Sequence, residues 1–100
     1  MRNKIYMGID KDPLGAMNPT GNVIRDAWVF GLLPETETCE GWPVGRVEAL
    51  YESVYKEWEK YGHLASNLPE DLRERHKRIY DEAIKTAREK GWDPELGEND

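Results

Sequence analysis

The sequence predicts a mainly α fold: an antiparallel helical hairpin packed with an irregular N-terminal segment that contains one short helix. Three observations predict it. Apolar residues recur at three- and four-residue intervals over two long stretches of the C-terminal half. Only the short segment Gly62–Asn67 separates those stretches, which favours antiparallel neighbours. The first 42 residues show no comparable period and are punctuated by Gly, Pro, Asn and Thr.

The clearest helix is expected from about Leu68 to Lys90, where Leu72, His76, Ile79, Tyr80, Ala83, Ile84 and Ala87 form one stripe. Pro69 is tolerated in a first turn, and Glu70 and Asp71 complement the helix dipole there. At the far end, Lys90-Gly91-Trp92-Asp93-Pro94 reads as a Schellman stop, with Gly91 left-handed and Pro94 blocking continuation. The pairs Asp71/Arg75, Glu74/Arg78 and Asp81/Lys85 are acid-first at i,i+4, a spacing that favours ion pairs along the outer face.

The other arm of the hairpin is expected from Pro43 to about Lys60 or Tyr61. Val47, Leu50, Tyr51, Val54, Trp58 and Tyr61 share one face, and Gly62 suits the exit. Upstream, Asn22–Leu33 reads as the short helix, with Thr20 or Asn22 as N-cap and Pro34 as terminator. It is nearly apolar all round after Asp26, which places it in the groove between the hairpin arms. The competing reading makes Ala27–Leu33 a strand paired with Lys4–Ile9, where Ile5, Met7 and Ile9 alternate.

Composition narrows the function classes. One hundred residues make one domain, taken as residues 1–95 followed by a flexible acidic tail at 96–100. Leu, Ile, Val and Phe are scarce, so four Trp and five Tyr must supply much of the buried area. With 14 Lys and Arg against 20 Asp and Glu, the net charge of −6 argues against nucleic-acid binding. The longest apolar run, Ala27–Leu33, is far too short for a bilayer, and no signal peptide is evident, so a cytoplasmic protein is expected. A single cysteine excludes an internal disulfide framework and a cysteine-cluster metal site.

No catalytic constellation or cofactor motif stands out, and neither a cofactor nor a metal is expected. Asp10–Gly15 begins like a calcium loop, but Leu14 and Gly21 occupy positions that need oxygen ligands, so turn chemistry accounts for it better. Asn18–Asn22 before a helix has the form of an anion-binding turn, yet lacks a phosphate loop's Lys and glycine spacing, and reads as a cap. His63 and His76 have no metal-ligand spacing. The basic cluster Arg73, Arg75, Lys77 and Arg78 interleaves with acids as a solvated face.

Residues 13–46 resist so plain a reading. They hold five of the nine glycines, four of the six prolines, two of the four tryptophans and the cysteine. Structured loops of such composition commonly carry function. Phe30, Trp42 and Arg46 are therefore the candidate anchors of a protein–protein contact, with Trp42 expected to be exposed beside Cys39. The favoured function is a small accessory or adaptor protein acting on a protein partner. One alternative is thiol chemistry at Cys39, since a thiol near a helix N-terminus is acidified while Glu35, Glu37 and Glu40 oppose that effect. Another is a small-ligand pocket between the N-terminal segment and the hairpin, lined by Trp and Tyr.

Overall fold

Both long periodic stretches fold as the helices their spacing predicts. A computed structural model describes Lys4–Asp93 and contains α1 (Pro13–Ala16), α2 (Pro19–Val29), α3 (Val44–Glu59), a 3₁₀ turn at Ala65–Asn67 and α4 (Glu70–Glu89). The class is mainly α, and α3 and α4 form the expected helical pair. The acidic tail at 96–100 and Pro94 lie outside the described residues.

Glycine ends every long helix by one device. Leu32 N–H donates to Ala27 C=O at 2.9 Å, His63 N–H to Trp58 C=O at 3.0 Å, and Trp92 N–H to Ala87 C=O at 2.9 Å. Each is the outer bond of a Schellman motif around a left-handed glycine, Gly31, Gly62 or Gly91. The Gly91 stop is as expected. The α2 boundaries are corrected at both ends: Gly31, not Pro34, terminates it, so the helix closes at Val29. Its N-cap is Asn18, not Thr20 or Asn22, because Asn18 Oδ1 accepts the Gly21 N–H at 2.8 Å.

α2 occupies the groove between α3 and α4 and touches both, whereas α3 and α4 have no close backbone approach of their own. Its all-round apolar character explains this, since Ile24, Ala27 and Val29 are fully buried. Around α2 the core adds Ile9, Ala16, Cys39, Trp42, Val47, Leu50 and Val54. A fully buried aliphatic side chain contributes about 1.5–3 kcal/mol, so this small set matters to a chain so poor in aliphatics.

The strand alternative for Ala27–Leu33 is overturned, because 27–29 lie in α2 and 30–33 in its exit turn. The arm from Lys4 runs antiparallel along 38–44 instead, with an isolated bridge from Ile5 to Pro43 before the left-handed Gly8 turns the chain. Tyr6 N–H donates to Trp42 C=O at 2.8 Å, Gly41 N–H to Tyr6 C=O at 2.9 Å, and Ile9 N–H to Thr38 C=O at 3.0 Å. The predicted acid-first pairs on α4 do not form, because Arg75 and Arg78 find tertiary acceptors and Asp81 pairs with another lysine of the same helix. Arg75 donates to Val29 C=O at 3.0 Å, and Arg78 forks onto both Glu35 oxygens at 2.9 Å. Asp81 pairs with Lys77, one turn upstream.

One local feature has no counterpart in the sequence reading. Leu14, Gly15 and Ala16 are consecutive left-handed residues, with φ of 56°, 70° and 56°. That conformation costs a residue other than glycine about 1–2 kcal/mol. Two contacts hold it. Gly15 packs so closely on α4 that a Cβ there would lie 2.7 Å from the Ala87 Cα. Arg25, reaching from α2, donates from Nη2 to Gly15 C=O and from Nη1 to Ala16 C=O at 3.0 Å.

Candidate functional site

The candidate anchors prove to be distributed between core and surface. Trp42 is only 7% exposed and belongs to the core, which overturns the expectation of a protruding ring. The short 38–44 ribbon, held by the N-terminal arm, turns that side chain inward. Arg46, one turn into α3, covers the outer ring face with its guanidinium 3.8 Å from the centroid. Phe30 is half-buried at the α2 exit, edge-on to Trp58 at 5.1 Å and stacked on Tyr61 at 6.1 Å. Trp28 is likewise half-buried and donates its indole N–H to Glu37 C=O at 3.0 Å. Trp42 and Arg46 are thus brought together, while Phe30 faces the opposite end of α3.

Cys39 is fully buried, with left-handed backbone at φ 62°. Burial, reinforced by the Glu37 carboxylate and opposed by Arg46, pushes its thiol from the ordinary 9.0 up to about 11. A thiol so placed is short of thiolate at neutral pH. His76 sits between Trp58 and Tyr80, with ring centroids 6.0 and 4.6 Å away, as a boundary histidine. His63 is exposed in the connection beside Tyr55. Among the described residues no cluster of His, Cys, Asp or Glu is arranged to hold a metal ion, and no helix is long and apolar enough to cross a membrane.

Four of the five glycines of 13–46 serve the fold: Gly15 and Gly21 permit close approaches, Gly31 ends α2 and Gly41 (φ 82°) turns the ribbon. Among the described residues, two openings lie on either side of α2.

The first is an apolar groove of about 300 Å³ between the N-terminal arm and α3. Val47 and Tyr6 line it, Ile5, Val44 and Tyr51 rim it, and Lys4 and Glu48 are the charges beside it. Ile5 is 64% exposed, Val44 44% and Tyr51 36%, in a chain of mean hydropathy −0.85. The Tyr51 hydroxyl lies 3.3 Å from Thr20 Oγ1, which fixes the ring at the mouth. Tyr6 uses both backbone groups toward 41–42, and its neighbours Ile5 and Met7 are exposed. None of these rim residues was singled out from the sequence; the alternation of Ile5, Met7 and Ile9 was the available signal.

The second is a cleft of about 170 Å³ between the N-terminal segment, α2 and α4. Ile9, Trp28, Ile79 and Ala83 make its apolar wall, and Arg25 lines it. Asp10, Glu82, Thr86 and Lys90 complete the lining, and all four are exposed. Lys90 donates to the Asp10 C=O at 3.2 Å, which joins the α4 end to the arm across the mouth.

Comparison with known proteins gives no identity. The chain matches no family model, no curated protein and no solved structure.

Proposed function

We propose that the chain is an accessory protein that binds a partner protein, and that its contact surface is the groove between the N-terminal arm and α3. The observation that carries this reading is the clustering of exposed Ile5, Val44 and Tyr51 around one apolar groove on an otherwise polar chain. Large apolar side chains gathered around a concavity are the form of a contact anchor's receptor. The proposed surface overlaps the 13–46 segment only at Thr20 and Val44. Trp42 acts from beneath, as the packed support of the ribbon, and Arg46 as its cover.

Charge sets the class of partner. Lys4 and Glu48 line the groove at its two sides, Glu52 follows on the exposed side of α3, and the whole chain carries −6, so the surroundings are acidic. The occupant is an apolar segment flanked by Lys or Arg, seated with its apolar residues against Val44 and Tyr51. Electrostatic complementarity of this kind raises association rate and selects among partners more than it adds affinity. Thiol chemistry at Cys39 is disfavoured by its burial and its raised pKa.

Site-specific photo-crosslinking tests the reading. A photoreactive residue at Lys4 should trap one stoichiometric partner from the host lysate, with the trapped peptide apolar and basic by mass spectrometry. Val44→Asp and Tyr51→Glu should each abolish the adduct while leaving the thermal midpoint nearly unchanged. Adducts that survive both substitutions would overturn the proposal.

A further inference from the structure

Arg25 is 4% exposed, and among the described residues no carboxylate lies within ion-pair distance of it. The nearby acids are committed elsewhere: Asp12 Oδ2 accepts from Tyr6 and Asn18, and Asp26 accepts from Tyr80 and Trp58. Both Nη atoms of Arg25 are taken by neutral acceptors, Gly15 C=O, Ala16 C=O, Met17 Sδ and Asn22 Oδ1. A buried guanidinium without a paired anion is costly, and desolvation lowers its pKa accordingly. The left-handed α1 turn, itself strained, is what holds the two carbonyls on that guanidinium.

Arg25 lines the second cleft, whose other wall is apolar and whose mouth carries two acids and one cation, Lys90, whose ammonium is engaged by the Asp10 C=O. An anion alone would meet Arg25 but face Asp10 and Glu82. A cation alone would meet those acids but leave the guanidinium unpaired. A molecule with a carboxylate at one end, an ammonium at the other and an apolar body satisfies all three. We propose that the cleft between the N-terminal segment, α2 and α4 binds a free α-amino acid with an aliphatic side chain. The carboxylate pairs with Arg25, the side chain packs on Trp28, Ile79 and Ala83, and the ammonium faces Glu82 and Asp10. The α1 turn then acts as the positioning element, because it fixes the guanidinium before any ligand arrives. This site shares no residue with the partner groove, so the two proposals stand or fall separately.

The test titrates the full chain with L-leucine, with 4-methylpentanoate, which lacks the ammonium, and with 3-methylbutylamine, which lacks the carboxylate. Amide and indole NMR shifts report the site. Leucine should give saturable shifts confined to Trp28, Ala83, Thr86 and their neighbours. The des-amino acid should bind about tenfold more weakly, equivalent to about 1.4 kcal/mol, and the amine should not saturate. Because Arg25→Ala removes the clamp on α1 and is liable to unfold the chain, two surface variants carry the test. Glu82→Gln should reduce leucine affinity while leaving the des-amino acid unaffected, and Ala83→Trp should fill the cleft and abolish binding with the fold intact. The inference is overturned if neither leucine nor any other free aliphatic amino acid gives saturable shifts at millimolar concentration. It is equally overturned if the amine binds as well as leucine, or if binding survives Ala83→Trp.

Discussion

The Trp58 indole donates its Nε1–H to Asp26 Oδ2 at 3.0 Å, so that a carboxylate on α2 grips α3. The other oxygen of Asp26 accepts the Tyr80 hydroxyl from α4, and that hydroxyl lies 3.1 Å from Asn22 C=O as well. One side chain thus joins all three long helices, in a fold whose hairpin arms have no close backbone approach and touch through the Trp58–His76 ring contact. Asp26→Ala leaves the Trp58 donor partly buried without its acceptor and leaves the Tyr80 hydroxyl only the Asn22 C=O. Hydrogen bonds to charged groups are worth about 1.5–3 kcal/mol each, and the loss should reach about 3 kcal/mol in urea unfolding followed by Trp fluorescence. Asp26→Asn retains one acceptor and should lose roughly half as much. A loss below about 1 kcal/mol for Asp26→Ala would show that the helices are held by apolar packing alone.

Two left-handed glycines separate backbone strain from close approach. A Cβ on Gly31 meets nothing within 4 Å, whereas one on Gly15 would lie 2.7 Å from Ala87 Cα. Gly31→Ala should therefore cost only the conformational term of about 1–2 kcal/mol. Gly15→Ala adds a displacement of α1 from α4 and should cost at least about 2 kcal/mol more, read from urea midpoints. Equal losses would mean that α1 yields freely and clamps nothing.

Trp42 and Arg46 should respond very differently to truncation. Removing a core Trp typically costs about 3–5 kcal/mol, and Trp42→Ala should lower the circular-dichroism melting midpoint to match. Arg46 is exposed and contributes a ring contact worth about 0.5–1 kcal/mol, so Arg46→Ala should shift the midpoint only slightly. A near-neutral Trp42→Ala would restore it as an exposed anchor.

The Trp42 correction shows where sequence reasoning reaches its limit. Val47, Leu50 and Val54, like Ile79 and Ala87, announce their burial by spacing, because a helix repeats and its partner face is implied. Gly91 announces its stop for the same local reason. Trp42 lies in a stretch without a period, and its direction is set by Tyr6, a residue 36 positions upstream that pairs with it through the backbone. Arg25 is harder still. On α2 it reads as an ordinary polar residue, and only the left-handed run at Leu14–Ala16, against the chirality of those residues, gives it buried acceptors. The candidate sites inherit this: groove and cleft are both built where the non-periodic N-terminal segment meets a periodic helix.

Alkaline pH should destabilise the protein, and the sign follows from three groups. Burial raises the Cys39 thiol from 9.0 to about 11. Burial also raises the Tyr6 and Tyr80 phenols above their ordinary 10.0, Tyr6 with help from its bond to Asp12 and Tyr80 with help from Asp26. Each group holds its proton more tightly folded than unfolded. Its contribution is therefore complete below the unfolded value and is lost as pH climbs toward the folded one. Stability to urea should be level through neutral pH, begin to fall near 9 as unfolded Cys39 titrates, and fall faster above 10 when the tyrosines join. Glu35 works in the opposite direction, since its bonds to Arg78 lower its pKa and its share is lost in acid. That pair is exposed and contributes little. Cys39→Ala should flatten the decline between pH 9 and 11 by an amount on the order of 2 kcal/mol, while leaving the steeper fall above it. A thiolate absorbance midpoint at or below 9.0 in the folded wild type would contradict the burial of Cys39 and reopen its chemistry.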